Sequence, residues 1–222
     1  SLGLWSGFRM IHDLFSPKMR PDIADAFSHM DINGKLKIEN TDPNEKENGL
    51  QVGYRIEEMV DIVESLLKGV GLVDNFTDLV YVVAHGSSSA NNPHHGAHDC
   101  GACSGRPGAI NARVFAFMAN HDKVRMVLET NGIIIPDKTQ FIPAMHDTAS
   151  DEVGFYDEDI LFPENTRQHN LHRETFEYAL DINAKERARR FASIDISKDI
   201  KYIRKEIKKR SVSYFEPRPE LG

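Results

Sequence analysis

A cluster of side chains that can bind a metal lies between positions 85 and 103. This segment holds four of the ten histidines and both cysteines of the chain. Its candidate ligands are His85, His94, His95, His98, Asp99, Cys100 and Cys103. Thiolate and imidazole together favour zinc among the common metals, and a tetrahedral site needs four such ligands or three plus water. His94 and His95 are adjacent and cannot easily both point inward, so each is expected at the surface.

A strand and a helix are predicted to position the two ends of this segment. Residues 79–84 form a continuous apolar, β-branched run, which is typical of a strand buried on both faces in a parallel sheet. The strand would end at His85, and ligands of open α/β sheets bind beyond such carboxyl ends. A helix is predicted to begin near Pro107, and its amino end would favour the thiolate forms of Cys100 and Cys103.

Two other kinds of chemistry fit parts of the same segment. The spacing of Cys100 and Cys103 ahead of a helix is also that of a thiol–disulfide redox site. The turn at residues 86–90 differs from a nucleophile elbow at one position, where Ala90 replaces the second glycine. No helix begins directly after the serines, which disfavours a hydrolase built on Ser88. Two cysteines cannot form the disulfide framework of a small secreted protein, so a reducing, cytoplasmic compartment is expected.

Helical and strand patterns alternate along the chain, which predicts an α/β architecture. Helices are predicted over residues 5–15, 21–30, 54–67, 107–118 and 122–129, and further strands over 132–136 and 139–145. Beyond Asp159 the chain is predicted to be mostly helical, with Asn183 and Glu186 spaced as a capping box. These patterns predict three parts: a helical lead-in with a flexible polar loop (1–52, the loop being 31–52), an α/β half-domain with the zinc site (53–160) and a truncated helical segment (161–222).

A second polar cluster follows the strand predicted at 139–145. His146, Asp147 and Asp151 are candidates to line the same cleft, with simple turn chemistry as the alternative. The net charge of −7 argues against a nucleic-acid partner, because such binding requires a basic face. No apolar run of 18 residues occurs, so no transmembrane helix is predicted.

One long phrase identifies a resemblance to a known family. HGSSSANNPHHGAHDCGACSGRPGAINARVFAFMAN, beginning at His85, resembles the DabA family, as do GIIIPDKTQF, AMHDTASDEV, NAKERARRF and KKRSVSYFEPRPELG. The likeness covers most of residues 75–222 and, more loosely, residues 1–30. It implies a piece from the C-terminal half of the large subunit of a bacterial inorganic-carbon uptake system. It also implies a β-carbonic-anhydrase-like fold: a mostly parallel sheet flanked by helices, with a helical C-terminal portion.

The resemblance also implies a zinc site shared between two motifs. Zinc would be held by a Cys and an Asp from one motif and by a His and a second Cys from a later one. The later pair fits His85 and Cys100, which are separated by the family's interval, while His98 is a rival because the interval is shorter in ordinary β-carbonic anhydrases. Residues expected to support the ligands are His98, Asp99, Cys103, His146 and Asp147. The earlier motif, Cys-x-Asp-x-Arg, does not occur here, so this chain alone is predicted to be inactive and to hold zinc weakly.

For the complete protein the resemblance implies carbonic-anhydrase-like hydration of carbon dioxide to bicarbonate. It implies a proton-translocating, antiporter-like membrane subunit as partner, and a peripheral position on the cytoplasmic face of the bacterial inner membrane. The alternative from another class is a non-catalytic scaffold or interaction module whose zinc is structural and closed by four permanent ligands. A redox protein built on the cysteine pair is the less favoured alternative.

Overall fold

The computed structural model describes residues 2–15, 35–87, 100–103 and 106–212. The helices are α1 (Leu2–Phe15), α2 (Ile56–Val70), α3 (Ala109–Asn120), α4 (Asp122–Thr130), α5 (Pro163–Ala188) and α6 (Ile200–Val212). The strands are β1 (Lys46–Glu47), β2 (Leu50–Gln51), β3 (Leu79–Gly86), β4 (Gln140–Asp147) and β5 (Glu152–Phe155). Short 3-10 turns occupy Gly101–Cys103 and Glu158–Ile160. The mixture of helices and small sheets confirms the predicted α/β class.

The central sheet has three strands in the order β3-β4-β5. β3 and β4 pair in parallel over eight residues, from Leu79 opposite Gln140 to Gly86 opposite Asp147. β5 pairs antiparallel with β4. The parallel pairing predicted for the first strand is therefore confirmed, whereas the antiparallel β5 was not predicted. Within the described ranges, the outer edge of β3 carries no strand.

One face of the sheet packs on α2, α3 and α4 to form the main core. Alternate residues of a strand point to opposite faces, and Val80 and Val82 lie on this face against the cluster that contains Phe141. The fully buried residues of this core include Met59, Val63, Leu67, Met118, Val124, Leu128 and Phe141. The helical patterns at residues 54–67, 107–118 and 122–129 are confirmed with shifted ends, because their apolar faces meet here.

α5 packs on the other face of the sheet through a partly buried hydrogen-bonded network. The Tyr81 hydroxyl lies 2.9 Å from His169 Nδ1 and 3.2 Å from His172 Nδ1. His169 Nε2 contacts Glu158 Oε1 at 2.8 Å, and Arg173 donates to the same oxygen at 2.6 Å. Burial, with a smaller effect of Glu158, raises the pKa of Tyr81 to about 12. Tyr81 therefore stays protonated and can donate a hydrogen bond at neutral pH.

The strand predicted at residues 132–136 is wrong. Gly132 adopts φ +89°, and the Ile133 N–H donates to Leu128 O at 2.9 Å, so this backbone closes the end of α4 instead of joining a sheet. Ile133 and Ile135 are nevertheless buried in the main core, which explains their apolar character. The expectation that β3 is buried on both faces also fails in part, since Val83 is 46% exposed.

The capping box predicted at Asn183 and Glu186 is also wrong, because α5 continues through both positions to Ala188. The Asn183 side-chain amide instead donates to both carboxylate oxygens of Asp151, each at 2.9 Å. The mostly helical character beyond Asp159 is confirmed by α5 and α6.

Most of the polar segment from residue 35 to residue 52 is exposed, as predicted, and includes the β1–β2 hairpin. Ile38 is the exception: it is 6% exposed and packs in the main core. The helix predicted at residues 21–30 lies outside the described residues. The division into parts at residues 52 and 160 stays a prediction.

Candidate metal site at the ends of β3 and β4

The parallel strands β3 and β4 end side by side and bring the two predicted polar clusters together. His85 is paired in register with His146, and Gly86 with Asp147. Register partners on parallel neighbours lie on the same face of a sheet, with their strands about 4.8 Å apart. His85 is exposed and His146 is half-buried. The register therefore places one residue of each cluster at the same edge of the sheet.

The start of α3 lies directly against the end of β3. The Gly108 N–H donates to His85 O at 2.8 Å. A Cβ on Gly108 would lie 3.0 Å from Ala84 Cβ and 3.2 Å from His85 O, so glycine allows this close approach. The contact positions the 3-10 turn Gly101–Cys103 beside the strand end. His85, Cys100 and Cys103 consequently line one cavity of about 430 Å³, whose walls include Leu66, Asn111 and Phe115.

The two cysteines form a close pair inside this cavity. Their Sγ atoms are 3.0 Å apart, with the Cys103 thiol as donor, and the Cys103 N–H donates to Cys100 O at 3.0 Å. The Asn111 amide donates to Cys103 Sγ at 3.1 Å. Burial, reinforced by the hydrogen bond to Cys100, raises the pKa of Cys103 above its ordinary value.

The raised pKa of Cys103 contradicts the expectation that a helix end favours its thiolate. α3 begins only at Ala109, so Cys103 lies outside its first turn, where the helix dipole would act. The sequence analysis did not predict a role for Asn111. Its contact with Cys103 forms only because the cysteine turn packs against α3.

The second polar cluster has two distinct roles. Asp147 Oδ1 accepts hydrogen bonds from the N–H groups of Ala149 and Ser150, which is the turn chemistry considered as the alternative. His146 Nε2 lies 3.1 Å from Asp151 Oδ1. Asp151 is 2% exposed, adopts φ +60° and is held by Asn183. A fixed carboxylate of this kind orients an imidazole ring.

Several predicted candidates cannot be placed. His94, His95, His98, Asp99 and Ser88 lie outside the described residues. Among the residues that are described, no group of three or more His, Cys, Asp or Glu side chains could hold a metal ion. The roles of His85 and Cys100 as ligands, and of Cys103, His146 and Asp147 as supporting residues, stay predictions.

A comparison with protein families supplies the family of the chain. The family model described as "Probable inorganic carbon transporter subunit DabA" matches residues 1–222. The chain belongs to the DabA family. Curated relatives with the same description include proteins from Nitrosospira multiformis, 52% identical, and Azotobacter vinelandii, 48% identical, each matched over 100% of this chain. A relative named "Probable inorganic carbon transporter subunit DabA 2", from Rhodopirellula baltica, is 39% identical over 77% of the chain.

The chain spans only about a quarter of the length of two of these relatives, 25% of the Nitrosospira protein and 26% of the Azotobacter protein, and 16% of the Rhodopirellula protein. No solved structure matches the chain. In the described part of the chain, no helix is long and apolar enough to cross a membrane.

Proposed function

We propose that this chain supplies the His85 and Cys100 half of a zinc site in a DabA-family subunit that takes up inorganic carbon. The observation that carries the proposal is the shared cavity: a strand end and a turn 15 residues later border the same space. The donor set fits zinc, because one imidazole and one thiolate form half of a tetrahedral shell. The remaining ligands would come from the part of the longer protein that carries the Cys-x-Asp-x-Arg motif.

The residues around the cavity suit the hydration of carbon dioxide. Bound zinc would supply a Lewis acid that activates water at neutral pH. The apolar walls, which include Leu66 and Phe115, suit an uncharged reactant. The Gly108 contact holds the His85 backbone, and Asn111 fixes Cys103 beside Cys100. These contacts hold the end of β3 and the cysteine turn against the start of α3.

The proposal includes a membrane partner. The relatives are described as subunits of a transporter, and transport requires a component that crosses the bilayer. We propose a proton-translocating, antiporter-like subunit as this partner, with the DabA-family protein bound to the cytoplasmic face of the bacterial inner membrane. Co-purification of the two subunits from membranes, lost when the membrane subunit is deleted, would test this part.

Metal analysis of variants tests the zinc site. In the full-length subunit, dialysed against a chelator, we expect about one zinc per chain in the wild type and a loss of affinity larger than roughly 100-fold in His85→Ala and Cys100→Ser, because each removes a direct ligand. Cys103→Ser is the matched thiol control and, because it removes only a supporting contact, should weaken zinc affinity by no more than about 10- to 100-fold. Zinc retained by both ligand variants at wild-type affinity would contradict the proposal.

Two further measurements separate the alternatives. The 222-residue chain alone should hold far less than one zinc, because two protein ligands bind the ion weakly. In the full-length protein, X-ray absorption that shows four permanent protein ligands, together with no hydration of carbon dioxide, would instead indicate a structural zinc in a scaffold module.

A further inference from the structure

The cysteine pair has the geometry of a disulfide precursor. Cys100 and Cys103 are the only cysteines of the chain, both are half-buried, and their Sγ atoms lie 3.0 Å apart. A disulfide bond is about 2.05 Å long, so the sulfurs need to approach by only about 1 Å. The turn that joins them is already closed by the hydrogen bond from Cys103 N–H to Cys100 O. No large backbone rearrangement is therefore required.

The surroundings of the pair give an oxidant access to the sulfurs. Both cysteines line a cavity of about 430 Å³ that is open to solvent, so a small oxidant can reach them. Asn111 donates a hydrogen bond to Cys103 Sγ, which holds this sulfur next to Cys100. In the described part of the chain, the pair stands beside His85 in the cavity and not in the main core.

We propose that Cys100 and Cys103 form a reversible disulfide, with a small-molecule disulfide such as oxidised glutathione as the oxidant. One cysteine thiolate attacks a glutathione sulfur, which forms a mixed disulfide and releases one glutathione thiolate. The other cysteine sulfur then attacks the protein sulfur of that mixed disulfide and expels the second glutathione. The two cysteine protons pass through solvent to the released thiolates. Overall, two protein thiols are oxidised and one glutathione disulfide is reduced to two thiols.

The consequence for the metal rests on the proposed function. A sulfur that is bonded to another sulfur is no longer a thiolate and cannot hold zinc. Oxidation of Cys103 with Cys100 therefore removes one of the two ligands that this chain supplies. The same two sulfurs would bind metal under reducing conditions and lose it under oxidising conditions.

The test uses the full-length subunit, freed of metal with a chelator and incubated with either reduced or oxidised glutathione. After an acid quench and alkylation, mass spectrometry follows the peptide that contains Cys100 and Cys103. In oxidised glutathione we expect this peptide to lose two hydrogens and its doubly alkylated form to fall roughly tenfold, with full recovery after a reductant is added. Cys103→Ser should instead accumulate a glutathione adduct at Cys100.

The outcomes distinguish this proposal from the proposed function. A wild-type peptide that remains fully alkylated, or that stops at glutathione adducts, would overturn the disulfide. Zinc-loaded protein should be oxidised roughly tenfold more slowly than the metal-free form, because the metal occupies Cys100. Disulfide formation in a protein that never binds zinc supports the disulfide and removes the zinc assignment.

Discussion

Asp151, in the turn between β4 and β5, contacts both β4 and α5 through its carboxylate. It is 2% exposed, contacts His146 from β4 and accepts both bonds from the Asn183 amide of α5. A buried carboxylate is stable only when its oxygens are satisfied by such donors. The orientation of the His146 ring, at the strand position paired with His85, therefore depends on a residue of α5.

Replacing Asn183 by Asp should destabilise the protein in a pH-dependent way. The substitution replaces a hydrogen-bond donor beside Asp151 by a second carboxylate of the same charge. The free energy of unfolding at pH 7 is expected to fall by about 2–4 kcal/mol. Like charges raise the folded-state pKa of the pair above the unfolded value. The cost is therefore largest above that raised pKa and declines as the pH falls toward about 4. Urea unfolding at pH 7 and pH 5 measures both effects.

Asn170→Asp provides the matched control for this prediction. Asn170 lies on the same helix but is exposed, so the same change of charge should alter the unfolding free energy by less than about 0.5 kcal/mol. Equal effects of the two substitutions would show that the Asp151 contact does not stabilise the fold.

Residue types near the site were predictable from sequence, but the contacts between them were not. His85 and the cysteine pair could be proposed because each carries chemistry and adjoins a predicted element. The bond from Asn183 to Asp151 joins residues 32 positions apart, and no local pattern signals it. Asn183 even fits a capping pattern, which tertiary structure overrides because the helix continues through it.

At the level of elements, Glu58 fixes the beginning of α2. Its carboxylate accepts bonds from the Arg55 side chain and from the Arg55 backbone N–H, which are the main causes that lower its pKa to about 2. Gln51 adds a further donor. These contacts satisfy a backbone N–H that would otherwise lack a partner at the helix start.

Glu58→Gln should weaken α2 at neutral pH and have little effect in acid. Because the folded-state pKa is lowered, the stabilisation is fully present above the ordinary value of 4.5 and is lost as the pH falls toward about 2. The free energies of unfolding of the wild type and the variant, measured in urea between pH 7 and pH 2.5, should converge at low pH. Glu57→Gln, at an exposed position of the same turn, should show no comparable convergence.

Gly108→Ala should separate the start of α3 from the end of β3. The added methyl group would lie 3.0 Å from Ala84 Cβ and would force a shift, at an expected cost of about 1–3 kcal/mol in the free energy of unfolding. Gly69→Ala is the control, because a Cβ there meets no atom within 4 Å and alanine favours a helix. An unchanged free energy of unfolding in Gly108→Ala would show that the fold does not need this close approach.

At the scale of the whole molecule, the C-terminal helices have their own hydrophobic cluster. Ala184, Ala188 and Phe191 pack on Ile203 and Ile207 of α6. The cluster is distinct from the main core under the sheet. Arg187 donates to Thr148 O at 2.6 Å and so connects this cluster to the turn after β4.

Ile203→Ala should loosen α6 selectively. Ile203 is fully buried, and removing its branched side chain should cost about 2–5 kcal/mol. Hydrogen exchange should accelerate in α6 and in the last turns of α5, with little change in α2 and α4 of the main core. Ile196→Ala, at a position that is 44% exposed, should leave exchange unchanged. Uniform acceleration across the chain would show that the two clusters unfold as one unit.

The helices of the main core and the strands β3 and β4 followed from periodicity, but the rest of the sheet did not. Long helices and the apolar run of β3 carry strong patterns. β5 is only four residues long, and the segment at Ile133–Ile135 is apolar because it is buried, not because it joins a sheet. Short strands and buried loops therefore mislead a reading based on hydrophobicity alone.

Another strand could be added to the sheet at the outer edge of β3. Within the described ranges, its backbone N–H and C=O groups on that side meet no neighbouring strand. A parallel strand added there would end about 4.8 Å from His85. Ligands carried at the tip of such a strand would reach the proposed zinc site without any movement of β3. When the chain is isolated from the rest of its protein, the same edge is where copies would be expected to associate.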